Sequence, residues 1–124
     1  VFHDTSQIKG KCILPPYPRK MGTYIPSKLE KQAYELPKVD FTDKLIDTHL
    51  SLALQTAREL GFKQILFIGY DGYAGGFLSK KEQDLVRENE YLLQKAKQAG
   101  MECISVVPSN YENIDQQSLY ALIA

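Results

Sequence analysis

An unbroken apolar run that leads into a glycine-rich acidic loop is the feature that most constrains the fold of this chain. The run is Ile65-Leu66-Phe67-Ile68, and four glycines and one aspartate follow between Gly69 and Gly76. Its length and its β-branched and aromatic content predict a strand that is buried on both faces, as in parallel sheets. Open α/β sheets bind ligands at the carboxyl ends of their strands, so this loop marks a candidate site.

Helix and strand signals on both sides of the run predict alternating elements. Helices are expected to end at Gly61 and Gly100, because glycine readily adopts the left-handed C′ conformation. A capping box at Ser79–Glu82 predicts the start of the second helix. The predicted elements, in chain order, are a strand at 12–14, a short helix near 28–35, a helix at 43–60 capped by Thr42, a strand at 64–69, a helix from Ser79 to Gly100, a strand at 103–107, and a last short helix from Asp115 or Ser118 to Ala124.

These elements predict an α/β fold with a small parallel sheet flanked by helices, resembling half of a Rossmann or flavodoxin-like domain. Right-handed crossover places strands 64–69 and 103–107 parallel and adjacent. The loops that leave their carboxyl ends, here called outlet loops, therefore lie at one edge of the sheet. Strand 12–14 would add a third outlet if it joined the same sheet in parallel. We expect a single domain over 1–124, with an irregular, proline-rich lead-in at 1–41 and the core at 42–124.

Three parallel strands are few, because such sheets need cover on both faces. We therefore expect a second copy of the chain, or the missing part of a longer polypeptide, to cover one edge or face. The chain begins with Val1 and not with methionine, which favours a domain excised from a longer parent over a processed chain.

Composition excludes several function classes. The chain has 15 basic and 15 acidic side chains and a formal net charge of zero, so neither nucleic acid nor an anionic membrane is expected as a partner. No signal-peptide pattern opens the chain. Cys12 and Cys103 both lie in apolar segments and are expected to be free thiols of a cytoplasmic protein. No metal site or cofactor is predicted in this domain, because the two histidines lack zinc-ligand spacing.

Asp71 is the first candidate site residue, since a carboxylate at the end of a strand can bind a ligand hydroxyl or act as a base. The alternative is a turn aspartate that bonds its own loop, because Asp-Gly is a common turn pair. The glycines around it either let a backbone approach a ligand closely or provide turns with positive φ. These are Gly69, Gly72, Gly75 and Gly76, and their spacing does not match the dinucleotide-binding fingerprint.

The remaining candidates lie beside Asp71 or in other loops that would reach the same edge. Tyr70 and Tyr73 suit stacking on a sugar or base, and interior packing explains at least one of them equally well. Ser109 and Asn110 follow a strand and either bind a ligand or cap the next turn. Arg19, next to Lys20, would hold a phosphate or would simply be solvated in its proline-rich loop.

Residues 51–73 resemble the C-terminal domain of HMG-CoA-lyase-like, or 4-hydroxy-2-oxovalerate-aldolase-like, proteins of bacterial surface-polysaccharide gene clusters. The similarity lies in an alanine-containing helix, Leu60-Gly61, the strand, and the run Gly69-Tyr70-Asp71-Gly72-Tyr73. It implies that aldolase or lyase chemistry and a divalent metal belong to a TIM barrel preceding this domain. A looser similarity extends to the second half of bacterial sialyltransferases and motility-associated glycosyltransferases.

Three functions remain open from the sequence. The first is an ancillary, non-catalytic domain of an aldolase-like protein that binds a sugar, nucleotide-sugar or acyl ligand. The second is part of a nucleotide-sugar-dependent glycosyltransferase. The third is a structural dimerisation module, in which the acidic loop is only a turn.

Overall fold

The computed structural model describes residues 9–17, 25, 29–73 and 76–123. This part of the chain contains two parallel sheets, of two and three strands, and three helices. The predicted α/β class with small parallel sheets is therefore confirmed. Backbone contacts divide the chain into two compact units, Val1–Thr56 and Ala57–Ala124. The expectation of a single domain over 1–124 stays a prediction.

The first unit contains a two-stranded parallel sheet. Strand β1 (Cys12–Leu14) pairs with β2 (Ala33–Glu35), with Cys12 opposite Ala33. The predicted strand at 12–14 is confirmed, but its partner is β2 and not strand 64–69. The predicted helix near 28–35 is wrong. The Gln32 N–H donates to the Leu29 carbonyl at 2.9 Å and closes a turn, and the Gln32 carbonyl then accepts from Cys12 at 2.7 Å, so the chain enters the sheet.

Helix α1 (His49–Glu59) spans the boundary between the units and begins later than predicted. Thr42 does not cap it, because its hydroxyl forms a local turn with the backbone of Lys44. Leu45 then has φ +58°, which a helix does not allow. The cap is Thr48, whose hydroxyl oxygen accepts the Ser51 N–H at 3.2 Å.

The second unit contains a three-stranded sheet in the order β3-β4-β5, with all pairs parallel. The strands are β3 (Gln64–Phe67), β4 (Glu102–Ser105) and β5 (Asp115–Gln116). The predicted parallel pairing of β3 with β4 is confirmed. β5 was not predicted. Helix α3 (Leu119–Ile123) follows it, and the Ser118 hydroxyl caps this helix by accepting the Ala121 N–H at 3.2 Å.

Helix α2 (Lys80–Gln98) connects β3 to β4 and forms largely as predicted. The Ser79 hydroxyl accepts the Glu82 N–H at 3.2 Å. Gly100 at φ +88° ends the helix, and the Met101 N–H returns to the Ala96 carbonyl at 2.9 Å. The buried side chains of the helix are Leu92, Leu93 and Ala96.

The core of the second unit is at β4, not at β3. Cys103, Ile104 and Ser105 of the central strand are buried. β3 lies at the edge of the sheet, where Leu66 is 47% exposed. The prediction that the run 65–68 is buried on both faces is therefore wrong: Leu66 and Ile68 are exposed, and Ile65 and Phe67 are only half buried.

Candidate functional site

The outlet loops of β3 and β4 meet at the carboxyl edge of the sheet. The Asn110 N–H donates to the Asp71 carbonyl oxygen at 2.7 Å, and the Ser109 hydroxyl donates to the Tyr70 carbonyl oxygen at 2.8 Å. The structure thus brings together Tyr70, Asp71, Ser109 and Asn110, as parallel neighbours should. Gly75 and Arg19 lie outside the described residues.

An aromatic cluster of Phe67, Tyr70 and Tyr111 packs beside this contact between the two loops. Tyr70 stacks on Tyr111, with ring centroids 5.2 Å apart, and lies tilted against Phe67 at 5.4 Å. Tyr111 is buried, and its hydroxyl accepts a hydrogen bond from Asn89 Nδ2 of α2 at 2.9 Å. The cluster therefore ties α2 to both outlet loops, and interior packing accounts for the ring of Tyr70.

Burial also raises the pKa of Tyr70. Desolvation, followed by the nearby Tyr111 and Tyr73 hydroxyls, raises the pKa of Tyr70 from 10.0 to about 12. The phenol stays protonated at neutral pH and offers a ligand a hydrogen bond, not a base. Tyr73 is 41% exposed and presents part of its ring to solvent.

The Asp71 side chain is exposed, while its own carbonyl oxygen is held by Asn110. None of the described residues hydrogen-bonds its carboxylate. The bond at Asp71 thus joins two loops and is not a turn bond within its own loop, and within the described structure the exposed side chain remains available to a ligand.

Gly72 allows the close approach of the two loops. It has φ +76°, and a Cβ at this position would lie 3.3 Å from Tyr111 Cε2 and 3.4 Å from Asn110 Cβ. Gly69 has the same φ, but a Cβ there would meet nothing within 4 Å. The glycine at position 72 therefore serves loop packing, whereas position 69 requires only the left-handed turn. Gly76 is exposed.

A shallow cavity of about 270 Å³ opens at the carboxyl ends of β4 and β5. Residues 105–108 and 116–118 line it, and none of them is charged. The Ser105 hydroxyl donates to the Val107 carbonyl at 2.6 Å, and Gln116 Nε2 donates to the Ser109 carbonyl at 2.6 Å. The second bond joins the cavity wall to the turn that holds Asp71.

Sequence reasoning missed Gln116, Gln117 and Ser118, because a two-residue strand leaves no periodic pattern. Asp71 does not line this cavity, although it lies at the same sheet edge. The volume is just below the range of about 300–1,000 Å³ that is usual for small-molecule pockets. The cavity therefore suits a small ligand or one part of a larger ligand.

The chemistry available at the described edge is hydrogen bonding. Cys103 is a free thiol in β4, the strand whose last residue, Ser105, lines the cavity. Burial, together with the charge of Asp115, raises the pKa of Cys103 from 9.0 to about 11. A thiol with so high a pKa is a weak nucleophile at neutral pH. The described residues contain no group of three or more metal-ligating side chains placed to hold an ion.

Comparisons with known proteins add no constraint. The chain matches no family model, no curated protein and no solved structure. Of the described helices, none combines the length and the apolar character needed to cross a membrane.

Proposed function

We propose that this chain is an ancillary, ligand-binding domain of an aldolase-like protein in surface-carbohydrate biosynthesis. Its ligand, a sugar or a related hydroxylated or acyl compound, would bind at the carboxyl edge of the β3-β4-β5 sheet. One observation carries the proposal: the Asp71 carboxylate is exposed while the backbone on which it stands is bonded to the outlet of β4. The aldolase-like parent is supported by the resemblance alone.

Anchoring of the loop supports a binding role because it lowers the cost of binding. The bonds from Ser109 and Asn110 hold the carbonyls on both sides of the Asp71 nitrogen and α-carbon. A ligand that bonds the carboxylate then orders only one short side chain, and less binding free energy is lost to conformational entropy. The buried Tyr111 and its bond to Asn89 support the loop from α2.

The groups at the edge favour a neutral, hydroxyl-rich ligand. Asp71 accepts hydrogen bonds, the protonated Tyr70 phenol donates and accepts them, and Gln117 and Ser118 add an amide and a hydroxyl at the cavity. The exposed ring of Tyr73 offers an apolar surface for a sugar face.

Charge distinguishes a free sugar from a nucleotide-sugar. The sequence has no lysine or arginine at 68–73, 105–111 or 116–118, the segments that form the described edge. A diphosphate at this edge would need a cation from outside these segments. The free sugar is therefore the preferred ligand.

A thermal-shift screen tests the proposal with neutral sugars, sialic acids, small oxo-acids, CMP and UDP-sugars. A ligand at 100 times its dissociation constant stabilises the folded protein by about 2.7 kcal/mol, which shifts the melting temperature measurably. A response to neutral sugars supports the proposal, whereas a response only to the anionic sialic acids or oxo-acids would contradict the preference for a neutral ligand. A response restricted to CMP and UDP-sugars supports the glycosyltransferase alternative.

Asp71→Asn should abolish the ligand response and leave the melting temperature of the free protein unchanged, since the side chain is exposed. The matched control is Glu102→Gln, an exposed acid at the first residue of β4 and so at the opposite end of the sheet. Binding that survives Asp71→Asn unchanged would refute the role of Asp71. The absence of any response, with a dimer in solution, would favour the dimerisation module.

A further inference from the structure

We propose that the outer edge of β3 pairs with the same edge of a second copy of this chain. The two β3 strands would run antiparallel about a two-fold axis at Leu66. Two three-stranded sheets would thereby join into one sheet of six strands. This interface is distinct from the carboxyl edge at which the ligand is proposed to bind.

The outer edge of β3 carries unused backbone hydrogen-bonding groups. The carbonyls of Lys63 and Phe67 accept from β4, at 2.7 Å from the Glu102 nitrogen and 3.1 Å from the Val106 nitrogen. Because backbone groups alternate in direction along a strand, those of Gln64 and Leu66 face away from β4. Within the described part of the chain, no strand pairs with this edge.

The edge also lacks two of the features that normally prevent association. Residues 64–70 contain no charge and no proline, which are two of the usual means of blocking edge-to-edge pairing. Leu66, on the face opposite to Ile65 and Phe67, is 47% exposed, and Ile68, directly after the strand, is 79% exposed. Leu60 and Phe62, just before the strand, are also exposed.

Symmetry identifies a second copy as the partner that fits. In a two-fold antiparallel pair centred on Leu66, this residue faces itself and Gln64 faces Ile68 of the second copy. All of these have even numbers, so the backbone groups that face outward meet each other and the apolar side chains remain on one face. The paired segment ends where Gly69 turns away at φ +76°.

Charge and strand number agree with self-association. The net charge of the chain is zero, so two copies do not repel each other at long range. A six-stranded sheet also reaches the usual size of about five to six strands, which the three strands of one copy do not.

The mass of the full chain in solution, measured by light scattering over a dilution series, tests the proposal. We expect a dimer for the wild-type protein, and for Ile68→Lys a dissociation constant raised more than about tenfold, because each lysine would be brought to the interface. The control is Ile123→Lys in α3, where the isoleucine is similarly exposed at 71%. This variant should remain dimeric.

A pair of proline variants tests whether the backbone edge, and not only the apolar surface, forms the interface. Leu66→Pro removes an outward N–H and leaves the β3–β4 bonds in place, so it should be monomeric with an unchanged circular dichroism spectrum. Ile65→Pro removes an N–H directed at β4 and should instead lower the free energy of unfolding. If Leu66→Pro fails to fold, the comparison of Ile68→Lys with Ile123→Lys decides alone.

A wild-type chain that is monomeric at every concentration would overturn the proposal. This holds also if the chain is monomeric because its own residues cover the β3 edge. A dimer that survives both Ile68→Lys and Leu66→Pro would overturn it as well. The ligand response can be measured separately in the wild-type protein and in Leu66→Pro, whose substitution lies outside the loops at the carboxyl edge, so failure of one proposal does not imply failure of the other.

Discussion

β3 and β4 are locally similar strands in very different environments. Each has four residues, and each follows a helix that ends at a glycine with positive φ. Leu66 and Ile104 are partners in the register and share one face of the sheet, yet Leu66 is 47% exposed and Ile104 is 0% exposed. β4 has a strand on either side and β3 has one. Position in the sheet, and not hydrophobicity, therefore determines burial here.

The difference between β3 and β4 also separates the two roles that we propose for the second unit, ligand binding and self-association. The outlet of β4 supplies the bonds that hold Asp71, so the site depends on a buried and well-packed strand. The side of β3 away from β4 is exposed and uncharged, so it is suited to association. A ligand site and an association surface then lie on different edges of one small sheet.

The largest expected effect is in core truncation. Ile104→Ala should lower the free energy of unfolding by about 3 kcal/mol, because a fully buried side chain leaves a cavity. Leu66→Ala, at the paired position, should lower it by less than about 1 kcal/mol, since much of that side chain is already solvated. Urea unfolding measures both, in an Ile68→Lys background so that association does not contribute. Equal losses would show that β3 is as buried in solution as β4.

A smaller effect separates the two glycines of the β3 outlet. Gly69→Ala should cost about 1 kcal/mol, the penalty for a side chain in the left-handed region. Gly72→Ala has the same φ and in addition brings a Cβ to 3.3 Å from Tyr111, so we expect a loss of about 2 kcal/mol and a weaker ligand response. Unfolding and thermal-shift measurements on both variants check this. Equal costs would mean that the outlets of β3 and β4 are not in close contact.

A further prediction concerns protonation of the buried central strand. The raised pKa of Cys103, about 11 against 9.0, contributes stability that is fully present below pH 9 and is lost as the pH rises through 11. The free energy of unfolding should therefore fall over this interval by more in Cys12→Ser than in Cys12→Ser/Cys103→Ala. The decline expected from Tyr70 begins at about pH 10 and continues to about 12 in both proteins, so it does not affect the comparison.

Thiol reactivity compares the strands directly. Cys103 of β4 pairs in register with Ile65 of β3, which is only half buried. In a Cys12→Ser background, iodoacetamide should modify Cys103 slowly at neutral pH. The thiol of the variant Cys12→Ser/Cys103→Ala/Ile65→Cys should react faster, because it is less desolvated. A faster reaction at Cys103 would contradict the burial of the central strand.

The elements that could be predicted are those defined by local interactions. Gly61 and Gly100 end their helices as expected, because the left-handed C′ residue depends on glycine itself. Ser79 caps α2 because its hydroxyl and the Glu82 N–H are close in sequence. The meeting of the β3 and β4 outlets followed from the handedness of the crossover, which is a property of every chain of this kind.

The elements that were missed depend on partners distant in sequence. β2 is a strand because β1 pairs with it, and residues 33–35 alone do not show this. β5 has two residues and exists through its bonds to β4, and the cavity that it helps to line was invisible for the same reason. Thr42 is a residue type that commonly caps helices, but the positive φ of Leu45 prevents the helix from extending back to position 42.

The amino-acid sequence by itself determined the α/β class, the glycine-terminated ends of α1 and α2, and the presence of a glycine-rich acidic loop at the end of a strand. These follow from covalent geometry and from interactions across a few residues. Only the tertiary structure decided which strand is central, that Gly72 packs against Tyr111, and that the carbonyl and not the carboxylate of Asp71 is engaged. The order of strands in a sheet and the contacts between loops depend on the sum of many weak, distant interactions, which no short segment of sequence contains.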